Sequence, residues 1–276
     1  MSKVVCNLCP HHCNLSDGQI GLCKARSNEK GHIVSINYGI LTSIALDPIE
    51  KKPLRNFYPG KKILSVGSFG CNLKCPFCQN NEISFASKET ASGRFVKPED
   101  LIHAAIDLIP RGNIGIAYTY NEPFVGYEYV TDCALLAREN NLKNVVVTNG
   151  CFCKEIIRDL LPLIDAFNID LKGFTEEFYG RIGGNLETVK QFIALAAEFS
   201  HVEVTTLIIP DENDSEEEIR NISKFIASIN PRIPLHLSRF FPCYEMKNKT
   251  STDVNKVYYL ADIARESLRY VYEGNC

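Results

Sequence analysis

From Lys62 onward the chain alternates short apolar runs with segments of helical periodicity. Short apolar runs bounded by turn residues read as buried strands, and apolar residues three or four apart read as helices packed on them. Strands are expected to begin near Ile63, Ile114, Val145, Phe167, Val202 and Leu235, with an edge strand at Tyr270-Val271-Tyr272. Helical patterns lie between most of them. Pro98 to Ile109 opens on Pro-Glu-Asp, a favourable first turn. Ser215-Glu216-Glu217-Glu218 forms a capping box ahead of Ile219, Ile222, Ile226 and Ile229, and its acid run suits a helix N-terminus. Val254, Val257, Ala261, Ala264 and Leu268 make a last core-facing stripe. This alternation implies parallel strands with right-handed crossovers, and six units fit an open barrel better than a closed one. The expected fold is α/β: a partial (β/α)6 parallel barrel over residues 62–276, with a small cysteine-rich N-terminal extension over 1–61.

Composition narrows the class without choosing a function. The 276 residues are 45% hydrophobic and 23% charged, as in ordinary globular chains. A net charge of −3 offers no field for nucleic acid or an anionic membrane, and no run is apolar enough to span a bilayer. The start, Met1-Ser2-Lys3-Val4-Val5-Cys6, has no signal-peptide core, so twelve cysteines read as metal ligands in a reducing cytoplasm.

The first cysteines, Cys6-x-x-Cys9-Pro10-His11-His12-Cys13 and then Cys23, have turn residues between them and can wrap one zinc ion or an extra iron–sulfur cluster. His32 to Tyr38 alternates as a half-buried strand. The stretch Asp47-Pro48-Ile49-Glu50-Lys51-Lys52-Pro53 continuing to Gly60 is too rich in proline for a regular helix or a central strand. Its basic residues suit either an anionic substrate group or a solvated loop.

Most chemistry gathers where strands are expected to end. Cys71-x-x-x-Cys75-x-x-Cys78 follows the first strand, and three thiolates hold a [4Fe–4S] cube with one iron left open. Later strands end in Tyr120-Asn121-Glu122, Asn149-Gly150, Asp170-x-Lys172 and His236-Leu237-Ser238-Arg239. In an open parallel sheet this is the edge that carries function. Cys151-x-Cys153 lies near the same rim, where a redox or ligand role is conceivable, whereas Cys133 reads as a small buried hydrophobe.

The cysteine loop, with Gly70 before it and Phe77 inside it, resembles the radical S-adenosylmethionine (SAM) superfamily. Asn149-Gly150 and Asp170-x-Lys172 resemble its pyruvate formate-lyase activating-enzyme branch. Asp47 to Pro53, Tyr118 to Pro123, Thr206 to Pro210 and the ending Tyr270 to Asn275 are similar to the radical SAM enzyme of the AmmeMemoRadiSam system. The resemblance implies that Cys71, Cys75 and Cys78 hold the catalytic cluster and that Phe77 lies near the adenine of SAM. It puts Tyr120-Asn121-Glu122 in place of a Gly-Gly-Glu motif that receives the amino group. Lys172, oriented by Asp170, suits the SAM carboxylate, Asn149 the ribose or methionine, and His236 the nucleoside. It also implies reductive cleavage of SAM to a 5′-deoxyadenosyl radical, an electron donor such as flavodoxin or ferredoxin, and an anaerobic setting. Memo-like and AMMECR-like proteins are expected system partners. Two other readings stand beside this one: an activase of a glycyl-radical enzyme, and a non-catalytic iron–sulfur or zinc protein.

Overall fold

The structure, a computed structural model, describes residues 3–276. Eight strands form one sheet: β1 (Ser43–Pro48), β2 (Lys62–Gly67), β3 (Asn113–Tyr118), β4 (Lys143–Thr148), β5 (Ala166–Asp170), β6 (His201–Ile208), β7 (Leu235–Arg239) and β8 (Val271–Gly274). Strands β2 to β8 run parallel in chain order, and β1 pairs antiparallel with β2. Edges β1 and β8 do not pair, so the expected partial barrel stays open.

The two faces of this sheet differ. Leu64, Val66, Ile116, Val146, Phe167, Ile169, Val204, Leu235 and Leu237 lie on one face in a continuous core. Helices cover it: α1 (Pro98–Asp107), α2 (Tyr127–Glu139), α3 (Leu186–Phe199), α4 (Glu216–Ile229) and α5 (Val254–Arg265). Pro98 opens α1, and the Ser215 side chain accepts from the Glu218 amide as the cap of α4. Cys133 is fully buried on α2, a packing residue as its helical position suggests.

The opposite face lines the lumen. Registered neighbours place Ser65, Ala117, Val145 and Ala166 side by side there, followed towards the strand C-termini by Val147, Asn168, Asp170, Thr205, His236 and Ser238. Its N-terminal half is filled by the chain between β1 and β2: Ile49, Leu54 and Phe57 pack on Ile63, Ala117, Val145 and Ala166. Prolines keep this segment irregular, so its backbone needs other partners. The Asn168 side chain donates to the Pro53 carbonyl, and Glu203 accepts from the amides of Arg55 and Asn56. Residues 43–61 are thus an edge strand and a plug of the barrel, and the boundary expected at 61/62 falls inside the sheet.

Before β1 the chain forms small antiparallel pairs, Val4–Val5 with Asn14–Leu15 and Arg26–Glu29 with His32–Ser35. They press on the loop after β2. Gly70 has φ +93°, and a Cβ there would stand 2.5 Å from the Cys23 carbonyl, so this position requires glycine.

Across the open seam the Tyr272 hydroxyl donates to Asn56 Oδ1 at 2.6 Å, and the Arg55 guanidinium lies 5.9 Å from the Tyr272 ring. Tyr272→Phe should cost about 0.5–1.5 kcal/mol, a melting shift of roughly 1–5 °C for a chain this long. A calorimetric scan unchanged from the parent would refute this contribution.

Candidate active site

Two large cavities lie at opposite ends of the sheet. One, of about 580 Å³, is lined by Arg138, Lys143, Asp165 and His201 near the strand N-termini and holds none of the expected groups. The other, of about 560 Å³, opens at the C-terminal ends. Its wall brings together Cys71, Cys75, Phe77, Cys78, Tyr120, Asn121, Glu122, Asn149, Asp170, Lys172 and His236. Chemistry rather than size therefore marks the second one.

The three thiols come from one loop, held from several sides. The Leu73 amide donates to Cys71 Sγ at 3.4 Å, the Cys78 thiol approaches Ser84 Oγ at 3.6 Å, and Asn149 Nδ2 lies 3.7 Å from Cys71 Sγ. Burial pushes the Cys71 thiol well above its ordinary range, with the Glu122 charge adding to it. Burial raises Cys75 to about 11, while nearby Lys172 pulls the other way.

Glu122 is buried and its carboxylate is almost fully engaged. Oε1 accepts from the Phe124 amide and the Thr148 hydroxyl, and Oε2 from the Asn149 amide at 2.8 Å. A carboxylate has about four acceptor positions, so these three bonds leave one on the cavity wall. Burial raises its pKa to about 7 despite those bonds, and Asp170 contributes in the same direction. Lys172, on the same cavity wall, has its Nζ 2.9 Å from Asp170 Oδ2 and 6.0 Å from the Phe77 ring. Burial works against its charge, but Asp170 and then Cys75 outweigh that and raise its pKa.

Three of the residues expected at the cofactor also bond to the protein itself. Tyr120 sits at φ +72° on the cavity wall, and its hydroxyl donates to Asp47 at 2.8 Å. Asn121 accepts from the Ser68 amide and donates to the Gly70 carbonyl, so it braces the cysteine loop. Asn149 donates to Asn72 Oδ1 at 2.8 Å and accepts from the Cys151 amide, so it braces the cysteine loop from the cavity wall. All three side chains thus line the cavity and at the same time tie the rim to distant parts of the chain.

His236 is buried, with Nε2 2.6 Å from Glu203 Oε2 and its ring 5.3 Å from that of Tyr272. Glu203, fully buried on β6, also meets His201 at 2.9 Å. Burial alone would raise the Glu203 pKa, but the two histidines and the Arg55 amide lower it to about 2. The sign follows: this carboxylate stabilises the fold above its unfolded value near 4.5 and loses that contribution as pH falls towards 2. Glu203→Gln should therefore lower the denaturation midpoint at neutral pH and flatten its fall between pH 4.5 and 2. Urea titrations at several pH values check this, and a parallel shift at every pH would count against it.

The sequence reading overlooked Glu203, Asn72, Thr148 and the buried Asp47–Lys52 pair, 2.9 Å apart beneath the Tyr120 ring. Glu203 alone had a local signal, a charge inside the apolar run Val202-Glu203-Val204. Cys6, Cys9, Cys13 and Cys23 line a separate small cavity behind the cysteine loop. Cys151 is buried beside that loop, Cys153 donates its amide to the Leu8 carbonyl, and Cys243 donates its thiol to the Phe77 carbonyl. All twelve cysteines are free of disulfides.

Among the described residues no helix is long and apolar enough to cross a membrane. The chain is 40% identical to "Uncharacterized protein MJ0808" of Methanocaldococcus jannaschii over 99% of its own length and 82% of the relative's. It is 24% identical to the pyruvate formate-lyase-activating enzyme of Clostridium pasteurianum over 58% of this chain and 67% of that enzyme. Its fold is similar to that of Streptococcus suis SuiB bound to S-adenosylmethionine, with a TM-score of 0.61, 15% identity, and coverage of 78% of this chain and 52% of the other. The model of the radical SAM superfamily matches residues 65–223, more than half the chain and the whole rim from β2 to α4, and the chain belongs to that superfamily.

Proposed function

We propose that the chain is a radical SAM enzyme whose cavity at the strand C-termini binds a [4Fe–4S] cluster and SAM and presents a substrate, held in the lumen, for hydrogen abstraction. The observation that carries this is the meeting of three loop thiols, an acceptor at Glu122 and a cation at Lys172 on one cavity wall. The donor set fits the cluster: three thiols within one loop, Cys75 buried and Cys71 and Cys78 half-buried, with a nearby amide and hydroxyl for their sulfurs, and no fourth cysteine on the wall. Cys71, Cys75 and Cys78 would hold it, leaving one iron for SAM. When bound, cluster and SAM together supply a 5′-deoxyadenosyl radical.

The chain's own residues orient and shield. Glu122 offers its remaining acceptor position to the SAM amino group, and Lys172 offers a charged donor to the carboxylate. Asp170 fixes where Lys172 points. Asn121 and Asn149 brace the thiol loop, and Phe77 supplies an apolar surface. The segment 49–61 closes the lumen from below, so the substrate enters from the rim. Lys51 and Arg55 on its cavity side suit an anionic substrate group.

The motifs at Asp47–Pro53 and Tyr118–Pro123 favour the AmmeMemoRadiSam enzyme, working in a reducing cytoplasm with a flavodoxin- or ferredoxin-type donor and with Memo-like and AMMECR-like partners. The named likeness to a pyruvate formate-lyase-activating enzyme favours the second reading, an activase for a glycyl-radical enzyme. Anaerobically reconstituted protein given SAM and reduced flavodoxin should release 5′-deoxyadenosine; no release above a cluster-free control would overturn the proposal. A glycyl doublet in the electron paramagnetic resonance spectrum of an added glycyl-radical enzyme would select the second reading.

A further inference from the structure

The four N-terminal cysteines take no part in the SAM site, yet they are not scattered. Cys6, Cys9, Cys13 and Cys23 line one small enclosed cavity, with Cys6, Cys9 and Cys23 buried and Cys13 half-buried. The two segments that carry them are tied together: the Cys6 amide donates to the Cys13 carbonyl at 2.9 Å, and Gly21 Cα lies against Cys13, where an added Cβ would be 3.7 Å from Sγ.

Arg26 gives an independent indication. It is 4% exposed and lines the same cavity. Its terminal nitrogens are satisfied by Glu128 and the Val125 carbonyl, whereas its Nε is buried without a hydrogen-bond partner. A buried donor left unpaired costs roughly 1–3 kcal/mol. An anionic centre in the cavity would give it a partner.

The spacing of the thiols indicates what kind of centre. Around zinc, four thiolates close to about 2.3 Å from one ion, which leaves nothing between them but the metal. Here, among the described residues, no three cysteine, histidine or carboxylate side chains gather closely enough for a single ion. The thiols instead surround a space of their own. A wider ring of thiolates suits a larger inorganic group that binds each sulfur through a different metal atom.

We infer that Cys6, Cys9, Cys13 and Cys23 hold a second iron–sulfur cluster, closed by four thiolates and accompanied by the Arg26 guanidinium. A closed cluster has no iron for SAM. It sits directly behind the catalytic loop: the Cys71 amide donates to the Cys23 carbonyl at 3.2 Å, and the His11 ring bonds the Asn72 carbonyl at 2.7 Å. The inference stands apart from the radical SAM reading, because its ligands are four other thiols.

The test uses the full chain with Cys71, Cys75 and Cys78 all replaced by alanine, reconstituted anaerobically with ferrous iron and sulfide. We expect about four irons and four acid-labile sulfides to remain, with a broad visible absorption that dithionite bleaches and SAM leaves unchanged. Further replacement of Cys9 and Cys13 by serine should remove that absorption. The parent protein, purified anaerobically without reconstitution, gives a second measurement that needs no variant: about eight irons per chain rather than four. One zinc per chain without sulfide, or only about four irons in the parent with none in the triple variant, would overturn the inference.

Discussion

Replacing Cys75 by alanine is expected to abolish SAM cleavage while leaving most of the fold intact. Cys75 is 7% exposed, and its loop is anchored independently of its thiol by Asn121, Asn149 and Asn72. The variant should therefore keep the circular dichroism and melting behaviour of the parent in the metal-free form. Two remaining thiolates do not hold a cube with one open iron, so the catalytic iron and all 5′-deoxyadenosine formation should disappear together. With the N-terminal centre in place, iron should fall by about half rather than to zero. Single-turnover assays with chromatographic detection check the first part, and iron and sulfide analysis checks the second. An alanine variant that still makes 5′-deoxyadenosine would remove the catalytic assignment of the loop.

The element order was legible because the parallel strands are buried on both faces towards their N-termini, under the helices on one side and the plug on the other, so Ile63, Ile114, Val145, Phe167, Val202 and Leu235 stand out in apolar runs. The site was legible for a related reason. Ligands bind where such strands end, and Glu122, Asn149, Asp170 and His236 each lie at or near the end of a run. The plug was not legible. Ile49, Leu54 and Phe57 have no periodicity to report burial, and their partners on β2 to β5 lie up to more than a hundred residues away. The bracing role of the asparagines escaped for the opposite reason. Asn121 and Asn149 stand out as rim residues, but sequence position does not reveal that their amides also bond Ser68, Gly70, Asn72 and Cys151. Glu203 combines both difficulties, since its partners Arg55, Asn56, His201 and His236 come from three parts of the chain.

The orientation of SAM gives a further large expected effect. Its amino and carboxylate groups share one carbon, so a protein that fixes both needs an acceptor and a cation on one wall. Glu122 and Lys172 meet that requirement from the ends of β3 and β5. Lys172→Met keeps the aliphatic stem and removes the charge. Losing one charge-assisted bond costs roughly 1.5–3 kcal/mol, about a ten- to hundredfold loss in SAM affinity, while the cluster absorption should survive. Glu122 adds a pH dependence whose sign is fixed. With its pKa raised to about 7 by burial, it is largely protonated in mildly acidic solution, and a protonated acid no longer offers a carboxylate to the amino group. SAM affinity should therefore climb with pH, by up to about tenfold per unit below neutrality, and level off above it. Folded-state stability runs the other way: the raised pKa stabilises the metal-free fold below pH 4.5 and loses that contribution as pH rises through about 7. Glu122→Gln should bind SAM weakly at every pH and abolish the slope. Equilibrium binding across pH 5.5 to 8.5 decides the matter: if both variants bind SAM like the parent with the same pH profile, these two side chains belong to the substrate and not to the cofactor.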